Sequence, residues 1–169
     1  MRLRPYIHER DFDVIAGWVG DERTHALWCA QLVPYPIEKE SFGKFLDDIA
    51  LRFGDAPFVA LDDAGEPVGF FCYSLDVSTE MGMLKFVITD NRRRGKGIGR
   101  KMIGLAAKYA FEISKAKAVR LNVFSVNDAA RKCYAAAGFR EISVDDNAFS
   151  FGCESWGRCC MIMEKQEIR

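Results

Sequence analysis

Several features that would restrict the function are missing from this sequence of 169 residues. Lys plus Arg and Asp plus Glu both number 24, so the formal net charge is zero, which argues against nucleic acid or an anionic membrane as the main partner. No apolar run is long enough to cross a bilayer, and the opening residues MRLRPYIHER lack the hydrophobic core of a signal peptide. We therefore expect a cytoplasmic protein with no nucleic-acid or membrane partner.

Cysteine and histidine are also arranged without a recognisable pattern. The six cysteines are scattered, with no C-x-x-C pair and no metal-ligand spacing, and His8 and His25 are the only histidines. We expect reduced, mostly buried thiols and no metal. A nucleophilic cysteine with a histidine partner stays an alternative, although nothing in the sequence ties either histidine to a particular thiol.

The chain has no internal repeat, low-complexity segment or linker, and its 49% apolar and 28% charged residues are typical of a globular domain. Apolar periodicity predicts a first strand, two helices, a meander of three strands, a long helix, a strand, a short helix and two closing strands. The order is therefore β-α-α-β-β-β-α-β-α-β-β. Residues 21–40, which contain two prolines, are expected to be irregular.

The segment TDNRRRGKGIGRK, Thr89 to Lys101, places six basic side chains and three glycines within thirteen residues. It lies between a predicted strand and a predicted helix, where unpaired helical N–H groups bind phosphate readily. Its spacing fits neither a Walker loop nor a G-x-G-x-x-G dinucleotide fingerprint. The segment on its own therefore indicates either a phosphate site or a solvated turn with a basic face.

Together with the later segment NVFSVNDAARKCYAAAGFRE, this loop resembles the GCN5-related N-acetyltransferase family. The family patterns are [Q/R]-x-x-G-x-[G/A] and N-x-x-A-x-x-x-Y-x-x-x-G-F. The residues that fit them are Arg94, Gly95, Lys96, Gly97, Ile98 and Gly99 for the first, and Asn127, Ala130, Tyr134, Gly138 and Phe139 for the second. Arg92 through Gly97 also fits the first pattern, but the later register keeps the family's usual interval between strand and loop. The resemblance is specific from about Met81 to Ile142.

The resemblance implies one N-acetyltransferase domain over residues 1–169, of α/β (α+β) class, with a mixed central sheet of about seven strands and helices on both faces. It also implies acetyl-CoA as co-substrate, with no metal. The pyrophosphate would lie on the amides of Arg94 to Gly99, and the pantetheine amides would pair with the backbone of Val87, Ile88 and Thr89 between two splayed strands. A backbone amide there would polarise the thioester carbonyl. Asn127 would cap a helix and touch the cofactor.

Tyr134 is the residue that the resemblance assigns to catalysis. A phenol close to the sulfur could protonate the thiolate that leaves when an amine attacks the thioester. The alternative is that Tyr134 only packs, because Ala130 and Ala137 share its helix face. At the level of the whole protein, the corresponding alternative is a non-catalytic coenzyme A sensor or interaction domain.

At the positions expected to act on the amine substrate, the sequence departs from better-known branches of the family. Where those branches place a glutamate base, this sequence has Asn122 or Met83, and Glu80 is nearby but out of register. Glu80 is therefore a candidate base, and water or an already neutral amine would serve instead. Trp28 and Tyr35 lie in the segment that walls the acceptor pocket in this family, where they could hold an amine by cation–π contact or simply belong to the core.

The acceptor itself stays open at this point. A polyamine, an amino acid, an aminoglycoside and a peptide N-terminus all remain, and so does the oligomeric state, a homodimer included.

Overall fold

A computed structural model describes residues 1–93 and 95–165 of the chain. The described residues form one seven-stranded sheet in the order β1-β2-β3-β4-β5-β7-β6, together with five α-helices. The elements are β1 Arg2–Pro5, α1 His8–Ala16, α2 Glu22–Cys29, α3 Lys39–Phe53, β2 Ala56–Leu61, β3 Pro67–Asp76, β4 Met81–Thr89, α4 Ile98–Glu112, β5 Ala118–Phe124, α5 Asp128–Ala137, β6 Arg140–Phe151 and β7 Glu154–Glu164. A 3₁₀ turn, Asn91–Arg93, follows β4.

The sheet is mixed. Only β4 and β5 run parallel, and the other neighbouring strands are antiparallel. The predicted fold class is confirmed, and the strands come in the predicted order.

The structure adds a short helix and longer closing strands to the expected pattern. Residues 21–40 are not irregular throughout, because α2 begins in them with the Asp21 carboxylate accepting a hydrogen bond from the Thr24 N–H at 2.6 Å. The two closing strands, expected over the segments FREISV and RCCMIMEK, are also longer than apolar periodicity predicts and extend into the polar residues that lead to the turn at Gly152. Apolar periodicity misses both features, since α2 has only eight residues and β6 is exposed along most of its length.

The core consists of two apolar clusters, one on each face of the sheet. Successive side chains of a strand point to opposite faces, so in β3 Phe70 packs with α1, α2 and α3 while Phe71 packs with α4. Each fully buried aromatic of this size stabilises the fold by about 1.5–3 kcal/mol. Burial on both faces therefore explains why the β3 sequence is apolar almost without interruption.

The middle of the sheet opens between the two parallel strands. Pairing of β4 with β5 runs from Met81 opposite Ala118 to Leu84 opposite Leu121, and the described residues form no pair beyond it. Just past that point β4 has a bulge against β3, with Phe86 at a φ of 52°. The strands therefore diverge towards the carboxyl end of β4, as the family resemblance implies.

Candidate active site

The glycine loop leads from β4 into α4. Gly95 and Gly97 have positive φ angles of 77° and 70°, and Gly97 is the N-cap of α4. A Cβ atom at either position would meet nothing within 4 Å, so these glycines are required by backbone conformation and leave open space above the loop. Gly99 is different, because its Cβ would lie 3.0 Å from the Cys133 Sγ of α5. It lets α5 approach α4 closely.

A groove of about 600 Å³ extends from this loop along β4 to α5. It brings the predicted catalytic residue Tyr134 together with most of the cofactor-binding residues expected from the sequence: Val87, Ile88, Thr89, Gly95, Gly97, Ile98, Gly99 and Asn127. Lys96 is exposed and does not line the groove, and Arg94 lies outside the described residues. The first N–H groups of α4 have no partner within the helix, and they carry the positive end of its dipole.

The groove also contains basic residues that motif matching did not single out. Arg100 and Lys132, from α4 and α5, line it together with Arg93. Arg100 belongs to the basic run, so its charge was visible in the sequence, but only the fold shows that Lys132 faces the same space. The Arg93 guanidinium is already paired with the Asp62 carboxylate at 2.5 Å.

Arg92 is held away from the groove. Its guanidinium donates two hydrogen bonds to the Asp90 carboxylate, at 2.9 and 3.0 Å, and the side chain does not line the cavity. Hydrogen bonds from Arg92 hold the pKa of the buried Asp90 carboxyl below its ordinary value. This arrangement favours the later of the two registers for the loop pattern.

Tyr134 is buried on α5, with its ring 6.4 Å from that of Phe139, and it forms part of the groove wall. Burial raises the pKa of its phenol well above the ordinary value of 10.0, so the group carries its proton at neutral pH. That is the form in which a phenol acts as a general acid. Asn127 caps the same helix, its Oδ1 accepting from the Ala130 N–H at 3.2 Å, and it lines the groove as well.

A second cavity, of about 330 Å³, lies between α2, the diverging strands and the β6–β7 hairpin. We refer to it below as the acceptor cavity. Met83 and Asn122, the positions at which other family branches carry a glutamate, both line it. Leu27 and Trp28 line both this cavity and the groove, so α2 supplies a wall common to the two spaces.

Trp28 belongs to the apolar core and also lines both cavities. Its ring packs against Phe42 and Phe70, and its indole Nε1 donates to the Phe86 carbonyl at 2.8 Å. It therefore ties α2 to the bulge of β4. Tyr35, by contrast, lines neither cavity, and its ring centroid lies 5.3 Å from that of His25, with the two rings tilted by 49°.

Glu80 is not brought to the site either. It lies just before β4, in an ion pair with Lys117, and its backbone carbonyl accepts from the Lys117 N–H at 2.8 Å. Seven residues of extended chain, roughly 23 Å, separate it from Val87. A carboxylate at that distance cannot accept a proton from an amine in the gap.

The structure does pair a histidine with a thiol, which the sequence could not show. His25 Nε2 lies 3.2 Å from the Cys29 Sγ, one turn along α2, and both side chains are buried. Burial raises the pKa of the Cys29 thiol and lowers the pKa of His25, so both groups are neutral at pH 7. The pair is a buried hydrogen bond and lacks the charge of an activated nucleophile. The six cysteines, all within the described residues, are free, and half of them are buried.

These features define a glycine-rich loop at the N-terminus of α4, a split sheet and a second cavity beside the split. The sequence profile of the acetyltransferase (GNAT) family matches residues 21–139. The chain therefore belongs to this family, and the resemblance seen in the sequence is confirmed.

Two solved structures show the same fold over nearly the whole chain. Spermidine N-acetyltransferase from Vibrio cholerae, in complex with CoA and spermine, is 19% identical, with a TM-score of 0.81 over 96% of this chain and 94% of that one. Ribosomal-protein-alanine N-acetyltransferase from Brucella melitensis is 20% identical, with a TM-score of 0.76 over 98% and 100%. Among the described residues, no His, Cys, Asp and Glu group is arranged to hold a metal, and no helix is both long and apolar enough for a membrane span.

Proposed function

We propose that the protein transfers an acetyl group from acetyl-CoA to a primary amine by direct attack on the thioester. The observation that carries the proposal is that the groove joins the glycine loop to Tyr134 and shares the wall formed by Trp28 with the acceptor cavity. One substrate can thus reach Trp28 along the groove and the other through the acceptor cavity. The family of the chain, and a Vibrio cholerae relative whose structure holds CoA and spermine, support this assignment.

Each part of the groove has a role in holding the co-substrate. The pyrophosphate lies over the amides from Gly95 to Gly99, where helix dipole and positive side chains stabilise its charge. The edge of β4 from Val87 to Thr89 has no strand partner towards β5 in the described chain, so its backbone is free to pair with the pantetheine amides. One of these N–H groups donates to the thioester oxygen as negative charge develops on it.

Tyr134 and water near the gap supply and accept the protons of the reaction. The amine nitrogen bonds to the carbonyl carbon, and the carbon–sulfur bond breaks. Tyr134 gives its proton to the departing thiolate and regains one from solvent. The acceptor cavity has no carboxylate among its described lining residues, so the amine arrives neutral or loses its extra proton to water, and the N–H proton that the attacking nitrogen releases after attack also goes to water. Glu80 has no part in this scheme.

The test is release of free CoA thiol from acetyl-CoA over a panel of amines that includes polyamines, amino acids, an aminoglycoside and a peptide N-terminus. Thermal shifts with acetyl-CoA, CoA and ATP are measured in parallel. A ligand at a hundred times its dissociation constant adds about 2.7 kcal/mol of stability, and we expect this for the two CoA compounds and not for ATP. Tight CoA binding with no thiol release from any amine would instead identify a non-catalytic CoA-binding domain.

A further inference from the structure

The walls of the acceptor cavity differ in chemistry from what a polycation needs. Most of the lining is apolar, and four aromatic side chains contribute to it: Trp28, Phe86, Phe124 and Phe149. The charged residues among the described lining are two cations, Lys85 and Arg158. An aromatic face can hold one ammonium group by cation–π contact, but a ligand with several ammonium groups would leave the others against aliphatic walls and like charges, which is unfavourable.

The two cations are not equally available to a ligand. The Lys85 ammonium donates to the buried Asp55 carboxylate at 2.7 Å and lies 4.9 Å from the centroid of the Phe53 ring, so its charge is already neutralised inside the protein. Arg158 is paired with Asp145 at 2.9 Å, but the side chains of this pair are 52% and 59% exposed. Exposed ion pairs contribute little to stability, so a ligand anion can take the place of Asp145 at small cost.

Arg158 also lies close enough to the gap between the parallel strands to bind one end of a small substrate. Arg158 of β7 pairs with Phe124 of β5. Phe124 is three residues beyond Leu121, the residue at which the gap between the parallel strands opens. At the rise of a strand this is roughly 10 Å from the opening. Apolar side chains, including Phe124 and Phe149, line the cavity between the diverging strands and the hairpin.

We propose that the acceptor is a compact primary amine that combines an apolar or aromatic body with a carboxylate, and that Arg158 binds this carboxylate. The inference rests on the proposed acetyl transfer and names its second substrate class. The cavity of about 330 Å³ fits a ligand of this size, since pockets for small molecules start at about 300 Å³. The planar guanidinium of Arg158 matches a carboxylate with two parallel hydrogen bonds.

The experiment compares kcat/KM for phenylalanine, for 2-phenylethylamine, which lacks the carboxylate, and for spermidine. We expect phenylalanine to be the best of the three. The amines differ in basicity, so a direct comparison of their kcat/KM values is not decisive. The decisive quantity is the kcat/KM for phenylalanine divided by the kcat/KM for 2-phenylethylamine, and this ratio is compared between Arg158→Gln and the parent. It should fall by about tenfold to a hundredfold, as for the loss of a charge-assisted hydrogen bond, and the change should be mainly in KM.

Two further variants make the comparison specific. Arg140→Gln removes another exposed, ion-paired arginine of the same hairpin that does not line the cavity, and it should leave the ratio unchanged. Asp145→Asn frees Arg158 of its partner, so it should raise the ratio even if Arg158→Gln proves unstable.

Good turnover of spermidine, with the ratio unaffected by Arg158→Gln, would overturn the inference and leave the proposed function intact. Absence of transfer to every amine in the panel would refute both.

Discussion

Tyr134 gives the most direct test of the proposed chemistry at the scale of a single residue. Tyr134→Phe keeps the ring that packs in the core and removes only the hydroxyl. We expect kcat to fall by about a hundredfold, the low end for a general acid because a CoA thiolate is already a fair leaving group, with KM for acetyl-CoA almost unchanged. Steady-state kinetics on a variant with a normal melting temperature provide the measurement. A kcat within about twofold of the parent would leave Tyr134 as a packing residue.

Cys29→Ala is the control for this experiment, because it removes the other group near the site that could act chemically. The Cys29 thiol is protonated and buried against His25, so we expect kcat to stay within about threefold of the parent. Stability should drop by about 0.5–3 kcal/mol, as for most buried substitutions. Loss of turnover in Cys29→Ala, together with an acetylated parent enzyme, would indicate a covalent route through the thiol.

The glycine loop allows charge and bulk to be separated at one position. Gly97 has positive φ with open space above it, and both Asn and Asp tolerate that conformation. Gly97→Asn therefore measures the effect of bulk, and Gly97→Asp adds a negative charge where the pyrophosphate should lie. We expect Gly97→Asp to weaken acetyl-CoA binding by about tenfold more than Gly97→Asn, in calorimetric titrations at low salt.

Arg92→Ala tests the register of the loop in the same titrations. Because Asp90 holds Arg92 outside the groove, this variant should lose far less affinity than Gly97→Asp. An equal or larger loss at Arg92 would mean that the earlier register is the working one.

At the scale of elements, the contact between α2 and the bulge of β4 is expected to hold the two cavities in place. Trp28→Phe removes the hydrogen bond to the Phe86 carbonyl and part of a wall shared by both cavities. Trp18→Phe is a matched control, since Trp18 is also buried but its Nε1 has no hydrogen-bond partner among the described residues. Chemical denaturation should show Trp28→Phe to be less stable than Trp18→Phe by about 1 kcal/mol, the net value of a hydrogen bond.

Kinetics complete this comparison. We expect Trp28→Phe to raise KM for both substrates and Trp18→Phe to raise neither. Equal effects of the two substitutions on stability and on KM would show that the Trp28 hydrogen bond does not position the site.

The elements also show how far the sequence alone could predict this protein. The glycine loop, Asn127 and Tyr134 were found because they belong to two short motifs, each with fixed spacing, and the structure brings both motifs to one groove. Arg158 and Lys132 were not found, since they reach their cavities only through strand pairing and helix packing between distant segments. Tyr35 and Glu80 were chosen for residue type and proximity in sequence, but whether a side chain reaches the site is decided by backbone direction.

At the scale of the whole molecule, the balanced charge is distributed in ion pairs, and three buried carboxylates take part in them, those of Asp11, Asp55 and Asp90. Arg4 donates to Asp11 at 2.7 Å, and Arg92 donates to Asp90 at 2.9 Å. Hydrogen bonds from Arg92 lower the pKa of Asp90 from its ordinary 3.8, so the stability that this pair contributes is present above that pH and is lost as pH falls below it. Unfolding caused by protonation of these paired carboxylates is therefore expected only in strongly acidic solution.

His25 should produce a separate loss of stability at milder pH. Burial lowers its pKa in the folded state from the ordinary 6.5, so below that value the unfolded chain takes up a proton before the folded protein does. The stability is therefore complete above 6.5 and declines as pH falls towards the lowered pKa. Melting temperatures recorded between about pH 7.5 and 5 should fall over this window, and the slope should disappear in His25→Gln, which cannot take up the proton. His8→Gln, which removes the other histidine, should keep the slope. If the slope of melting temperature against pH persisted in His25→Gln and disappeared in His8→Gln, the loss of stability in mild acid would be assigned to His8 of α1 and not to His25 of α2.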